Sequence, residues 1–217
     1  MKIFFEDEYL TVIEKPAGIE MSEIKGLYAH RLDKDTSGLL VVAKNEAILE
    51  KLQDKFKKRQ VTKKYLALVF GEMKPEQGEI VTQIVRDPSR KVPFKAVAVA
   101  SGLERGDPRV AKTAWQMVKK LTINNYPLTI VRVHITTGRT HQIRVHMKYL
   151  GYPIMGDKVY FTKQSKKAAE ALGLTRQFLH AARLEFSHPV SGQKLHFRAE
   201  LPEDLAAWIG LPDSSRP

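Results

Sequence analysis

Nine consecutive residues, His30-Arg31-Leu32-Asp33-Lys34-Asp35-Thr36-Ser37-Gly38, set a carboxylate among cations and turn formers, directly before the apolar run Leu39-Leu40-Val41-Val42-Ala43. That run reads as a buried strand. A carboxylate that ends a loop against a core strand, with Arg or Lys at nearly every neighbouring step, suits an anchored, ionised acid better than a solubilising one. Asp33 is therefore the leading candidate for a reacting group. Asp35 is assigned to structure, because beside Thr36 and Ser37 in a turn it can satisfy backbone N–H groups. Two further segments are chemically loaded: Lys63-Lys64-Tyr65, and Gly138-Arg139-Thr140-His141-Gln142-Ile143-Arg144-Val145-His146. His141 and His146, five apart, share a face in neither a helix nor a strand, which argues against a metal pair. His134 stands alone in a strand pattern and reads as a satisfied core or surface group.

The elements that must position these groups are legible as periodicities. Ile3-Phe4-Phe5 and Tyr9 to Ile13 read as short strands around an acidic turn, the second stopped by Lys15-Pro16-Ala17-Gly18. Asn45 is placed to cap a helix carrying Ile48, Leu49, Leu52 and Phe56 at helical spacing. Val61 to Phe70 reads as a strand, and Ile80 to Val85, Phe94 to Val99, Thr113 to Val118 and Leu128 to Val133 form a largely antiparallel middle. Thr140 is the expected cap of a helix with Ile143, Met147 and Leu150 on one stripe and Gly151 as its stop. The tail adds a helix near Ser165 to Leu172, a hairpin at His188-Pro189-Val190-Ser191-Gly192, and a last helix after Pro202. The expectation is one α+β domain over residues 1–217: a mixed, mainly antiparallel sheet in two lobes, flanked by helices, with a central cleft.

Composition narrows the partner. In 217 residues, 36 Lys and Arg stand against 24 Asp and Glu, a formal charge of +12, which favours a polyanion, nucleic acid first, over a small neutral substrate. There is no cysteine, so disulfides, thiolate catalysis and sulfur-built zinc sites are excluded. The acidic start, Glu6-Asp7-Glu8, stands where a secretory signal needs an apolar core, and no run approaches membrane-spanning length. A cytoplasmic protein without membrane contact is expected, and with no long heptad or apolar stripe, a monomer.

Taken together, HRLD followed by TSG, the K-x-Y strand and GRTHQIR, in that order, resemble the RluA-like family of RNA pseudouridine synthases. The opening Phe5-Glu6-Asp7-Glu8 through Lys15-Pro16-Ala17-Gly18 and the close Leu179-His180-Ala181-Ala182-Arg183-Leu184 extend the resemblance over nearly the whole chain. The resemblance implies the pseudouridine synthase fold and isomerisation of a uridine within ribosomal or transfer RNA, with no metal or organic cofactor. It makes Asp33 the catalytic carboxylate, either attacking the sugar C1′ or assisting a glycal route. It matches Arg144 to the arginine that pairs with that aspartate, where a guanidinium favours the ionised form and fixes its orientation. It matches Tyr65 to the tyrosine beside the target base, offering a stacking face and a hydroxyl. Arg31, with His30 and Arg139 in the same motifs, is expected among the substrate contacts.

Lys55, Lys57, Lys58, Arg59, Lys63 and Lys64 make the densest basic run. It reads either as a solvated helix face or as a phosphate-positioning patch, in which Lys57, Lys58 and Lys63 bind substrate and Arg86, Arg90 and Lys91 extend the surface. Two departures from the family pattern stand out. Only eleven residues, Ile19 to Ala29, separate the KPAG turn from HRLD, and the chain begins directly with the catalytic region, leaving no room for a separate RNA-binding domain before it. The rival readings are a noncatalytic RNA-binding or ribosome-assembly module on the same fold, and a metal-dependent nuclease built on Asp33, Asp35 and histidines.

Overall fold

The apolar runs become strands of one continuous sheet in the computed structural model, which describes residues 1–89, 91–99 and 110–208. In chain order the strands are β1 (Ile3–Glu6), β2 (Leu10–Lys15), β3 (Leu27–Tyr28), β4 (Ser37–Ala43), β5 (Thr62–Phe70), β6 (Gln77–Arg86), β7 (Phe94–Val97), β8 (Val110–Ile123), β9 (Tyr126–Ile135), β10 (Leu179–Ser187) and β11 (Lys194–Arg198). The helices are α1 (Glu46–Lys57), α2 (Gln142–Tyr149), α3 (Lys163–Ala171) and α4 (Glu203–Ala206). The sheet runs β1-β2-β4-β10-β5-β9-β8-β6-β7, with β11 on β10 and β3 on β4. Its pairings are antiparallel except for β4 with β10, so the architecture is the mixed, mainly antiparallel α+β arrangement expected. The two lobes are two halves of this one sheet, joined where β4 meets β10.

That junction explains the glycine of Thr36-Ser37-Gly38. Gly38 pairs with Ala181 at φ +121°, and a Cβ there would collide with the Ala181 backbone. Glycine alone accepts both the conformation and the approach. On one side of the junction, Leu10, Val12, Leu39, Val41, Leu184 and Phe186 pack with Ile48 and Leu52 of α1. On the other, alternation along β5 divides two cores. Tyr65, Ala67 and Val69 face Ile143 and Met147 of α2, while Leu66, Leu68 and Phe70 face Ala168, Ala169 and Leu172 of α3 and its end, and Leu205 of α4. Each fully buried Leu, Ile or Phe contributes about 1.5–3 kcal/mol, which ties both faces of β5 to the helices that carry the site.

Helix ends show where local reading succeeds and where it fails. Asn45 caps α1 as expected, its Oδ1 accepting the Ile48 N–H at 3.0 Å. Thr140 does not cap α2: the N-cap is His141, left-handed at φ 56° and without a side-chain cap bond. The loop is held instead by Gln142, whose Oε1 accepts the Arg139 N–H at 3.0 Å and the Thr137 hydroxyl at 2.8 Å, and whose Nε2 donates to Lys112 O and Thr113 Oγ1. The third helix begins earlier than expected, because Thr162 and Ser165 form a capping box. The Phe94 strand ends at Val97, and the His188 to Gly192 turn joins β10 to β11.

Candidate active site

The loop before β4 is stapled from three directions. Thr36 N–H donates to Asp33 O at 3.0 Å, closing a turn around the carboxylate. From the end of β2, the fully buried Lys15 ammonium donates to the carbonyls of Pro16, Ile19 and Lys34, each at 2.8 Å. An ammonium carries three N–H groups and meets three acceptors here. Burial pushes this amine down to about 8, against the upward pull of Asp35 and Asp33. From the segment before β10, Arg176 grips Asp204 through Nε and Nη2 at 2.6 and 2.9 Å and sends Nη1 to Asp35 O at 3.1 Å, while Gln177 Nε2 donates to Thr36 Oγ1 at 2.8 Å. Ser37 Oγ meets His180 Nδ1 at 2.9 Å. Asp35 therefore enters the network through its main-chain carbonyl, not the carboxylate-to-N–H bond expected of it; Thr36 and Ser37 supply the side-chain contacts.

Helix α2 brings Arg144 to this loop. Its Nη1 donates to Asp33 Oδ2 at 3.0 Å, while Nε and Nη2 grip Asp157 at 2.7 and 2.9 Å. Asp157 also accepts the N–H groups of Val159 and Tyr160, at 2.8 and 2.9 Å, and the guanidinium lies 5.1 Å from the centre of the Tyr160 ring. Burial opposes the charge on Arg144, but the bonds and charges of Asp157, then of Asp33, outweigh it and raise its pKa. Burial likewise opposes ionisation of Asp157, yet Arg144 and the two backbone N–H groups hold its carboxyl below the ordinary 3.8. Side-chain exposure grades outward, from 0% at Asp157 to 7% at Arg144 and 18% at Asp33. Two acids thus share one arginine: the buried one takes a two-point grip, and the open one takes a single bond through Oδ2. Its other oxygen is not engaged by the guanidinium.

Strand β5 places Tyr65 in the same cleft, with Lys63 on the same strand face. Burial, then the charge of Asp33, raises the Tyr65 pKa above its ordinary 10.0, so the phenol is protonated at neutral pH. His30 stacks on Phe56 at 4.7 Å, and its Nε2 accepts the Val41 N–H at 3.2 Å. Accepting requires that nitrogen to be unprotonated; burial, then the charge of Lys63, keeps the ring neutral by pushing it down to about 3. Lys63 lies 5.3 Å from the Phe56 ring centre, its amine pushed down by burial to about 8.

These groups line a cleft of about 1270 Å³ together with the exposed Arg31, Arg139, Lys57 and Arg59. That exceeds the ~300–1,000 Å³ of small-molecule pockets and suits one unit of a polymer with its neighbours. Other predicted residues lie elsewhere. Lys58 is not in the cleft lining and pairs with Asp54 at 2.7 Å, Lys64 projects from the opposite sheet face by alternation, and Arg86 lies over Phe94. Arg90 lies outside the described residues. His146 is held between Thr82 and Thr113, while His141 meets the Tyr160 hydroxyl at 3.0 Å. Among the described residues, no group of three His, Asp or Glu is arranged to hold a metal ion. Sequence reasoning missed Asp157, Lys15, Arg176 and Gln142 as positioning residues. Lys15 was visible only as part of a turn, and Asp157 lay in a stretch without period.

Comparison with known proteins gives this geometry a setting. Residues 21–149 match a family model described as RNA pseudouridylate synthase. The chain is 36% identical to the ribosomal large subunit pseudouridine synthase D of Nitrosomonas europaea, over 99% of this chain and 67% of that protein. It is 43% identical to an RNA pseudouridine synthase of Chloroflexus aurantiacus, over 84% of this chain and 52% of that one. The chain thus spans between half and two thirds of these relatives' length. Among solved structures, human RNA pseudouridylate synthase domain containing 1 superposes with a TM-score of 0.79 at 27% identity, covering 95% of this chain and 86% of that one.

Proposed function

The chain belongs to the RNA pseudouridylate synthase family, and from that premise we propose that it isomerises a particular uridine of ribosomal RNA, with Asp33 as the reacting carboxylate. The observation that carries the reading is the Asp33–Arg144 contact of 3.0 Å in the cationic cleft. In the isomerisation the N1–C1′ bond breaks, the base turns, C5 bonds to C1′, and the C5 proton is lost while N1 gains one. A base can turn only when unstacked, and the protein must offset the few kcal/mol that extrusion costs. Arg31, Arg139, Lys57 and Lys63 act on the phosphates of the extruded nucleotide and its neighbours. Tyr65 stacks on the base and offers it a neutral hydroxyl. His30, committed to Phe56 and Val41, shapes the wall. Asp33, held by Arg144 at one oxygen, presents the other to C1′, either as nucleophile or as the base of a glycal route.

Ribosomal RNA is preferred to transfer RNA as substrate because the cationic lining is broad and the Nitrosomonas europaea relative is named for the ribosomal large subunit. Residues 1–217 act as one catalytic unit, as a monomer, in the cytoplasm. No helix among the described residues is long and apolar enough to cross a membrane. The test is to incubate purified protein, with excess chelator, with a transcript of large-subunit ribosomal RNA and separately with bulk transfer RNA, then map pseudouridine by carbodiimide adducts. A new pseudouridine in the uncut ribosomal transcript is expected. Modification confined to transfer RNA would move the target, a cleaved chain would indicate a nuclease, and no product in either RNA would refute the reading.

A further inference from the structure

Strand register builds a row of basic side chains, cationic at Lys64, Arg183 and Arg198, on the side of the sheet away from the cleft. His134 of β9 pairs with Lys64 of β5, Lys64 with Arg183 of β10, and Arg183 with Arg198 of β11. Directly paired residues of antiparallel strands share a face. Four basic side chains therefore stand shoulder to shoulder over three strand spacings, about 14 Å. Arg132, two positions before His134, lies on the same face and donates to Gln116 at 3.3 Å. Lys63 and Tyr65, the neighbours of Lys64 in sequence, both line the cleft, so the row projects from the opposite side.

This arrangement runs against sheet stability. Like charges directly opposite one another on adjacent strands are destabilising, and the mutual repulsion registers here. Burial, then Arg183 and Arg198, depress the pKa of Arg132; burial, then Lys64 and Lys63, depress that of His134. Acidic side chains border the row: Glu200 lies 3.6 Å from Arg198, and Glu185, 3.8 Å from His196, pulls the His134 pKa upward against the cations. The apolar part of the same sheet face, at Leu66, Leu68 and Ile130, is packed under α3 and α4, whereas Lys64, Arg132, His134, Arg183 and Arg198 are all partly exposed.

We propose that this row is a second RNA-backbone surface, gripping a segment of the same structured RNA that lies on the sheet face away from the cleft. It rests on the RNA reading above and adds to it a contact remote from the reacting uridine. Guanidiniums meet phosphate by paired donors, and a row without Phe, Tyr or Trp contributes affinity with little sequence choice. It offers a source of substrate selection by shape, since only an RNA folded to reach both faces of the sheet engages both surfaces.

The experiment compares two triple variants of equal charge loss. One is Arg132→Gln with Arg183→Gln and Arg198→Gln; the other is Lys2→Gln with Lys44→Gln and Lys51→Gln, three exposed lysines outside both surfaces. Binding of a large-subunit ribosomal RNA transcript is measured across a salt series. The row variant is expected to lower the slope of log affinity against log salt by about 2, from roughly 0.7 per lost phosphate contact, and the lysine control by much less. Lys64→Gln alone is expected to lower it by about 0.7, which keeps the test open should the triple variant fold poorly. Thermal unfolding of the row variant is expected at or above the wild-type temperature, because repulsion is relieved; a purely structural role would lower it. Equal slopes for the two triple variants would overturn the proposal, as would row-dependent binding to anionic vesicles with RNA binding unchanged. Failure to form pseudouridine, with row-dependent RNA binding intact, would sink the isomerase reading and leave this one standing.

Discussion

Asp157 decides what Arg144 can do. Because Asp157 takes Nε and Nη2, only Nη1 is left for Asp33, and the Asp33 carboxylate keeps an oxygen that the guanidinium does not occupy. Replacing Asp157→Asn removes the charge that holds the guanidinium inward and frees it to close on both oxygens of Asp33. The expected result is a fall in kcat on the order of 100-fold, the scale of an ångström-level misplacement, with RNA affinity little changed; single-turnover kinetics and binding isotherms would separate the two. A pH effect accompanies it. The folded Asp157 carboxyl lies below the ordinary 3.8, so its stabilising contribution is complete above the unfolded value and disappears as pH falls through the lower, folded one. Below about pH 4, thermal stability is expected to fall less steeply with acid in Asp157→Asn than in the wild type. Parallel acid limbs in the two proteins would show that Asp157 is not the linked group. Asp33 and Arg144 were legible as a pair because their motifs are long and ordered. Asp157 was not, since its partner stands 13 residues earlier and the segment around it, Met155-Gly156-Asp157-Lys158-Val159, carries no periodic or motif signal.

Among the elements, strands and the first helix were legible because one residue type writes one local rule: apolar runs for β4 and β5, and an Asn cap three residues before Ile48 for α1. The loops were not, because their geometry is set by distant partners. Thr140 had the right chemistry for a cap, yet the loop is held from within α2 by Gln142, which reaches Lys112 and Thr113 across the sheet. Lys15 is the clearest case. Read as part of a turn, it proves to be the buried staple that fixes the carbonyl next to Asp33. Lys15→Met keeps the apolar stem and removes three donors, leaving carbonyls whose loss of partners costs about 1–3 kcal/mol each when unrelieved. After partial relaxation about 3 kcal/mol is expected, or roughly 10 °C of melting temperature for a chain of this size. An unchanged melting temperature in differential scanning calorimetry would show that the staple is dispensable.

At the scale of the whole molecule, the formal charge of +12 pointed to a polyanion, but net charge does not say where the cations act. The fold distributes them. Lys57 lines the cleft while Lys58, its neighbour in sequence, neutralises Asp54. Charge reversal should therefore discriminate between them: Lys57→Glu is expected to lower the salt slope of RNA binding by about 0.7 or more, and Lys58→Glu by clearly less. Equal slopes would show that the patch acts only through bulk charge. The central claim is that a carboxylate at position 33 does chemistry on the ribose of a turned-out uridine, and the most direct measurement of it is tritium release from ribosomal RNA carrying uridine labelled at C5. Asp33→Asn, which preserves shape and a partner for Arg144 but not the carboxylate, is predicted to bind the RNA with about wild-type affinity and to release no tritium above background, since a positioned amide cannot replace the nucleophile or base. Tritium release by Asp33→Asn at the wild-type rate would contradict the account.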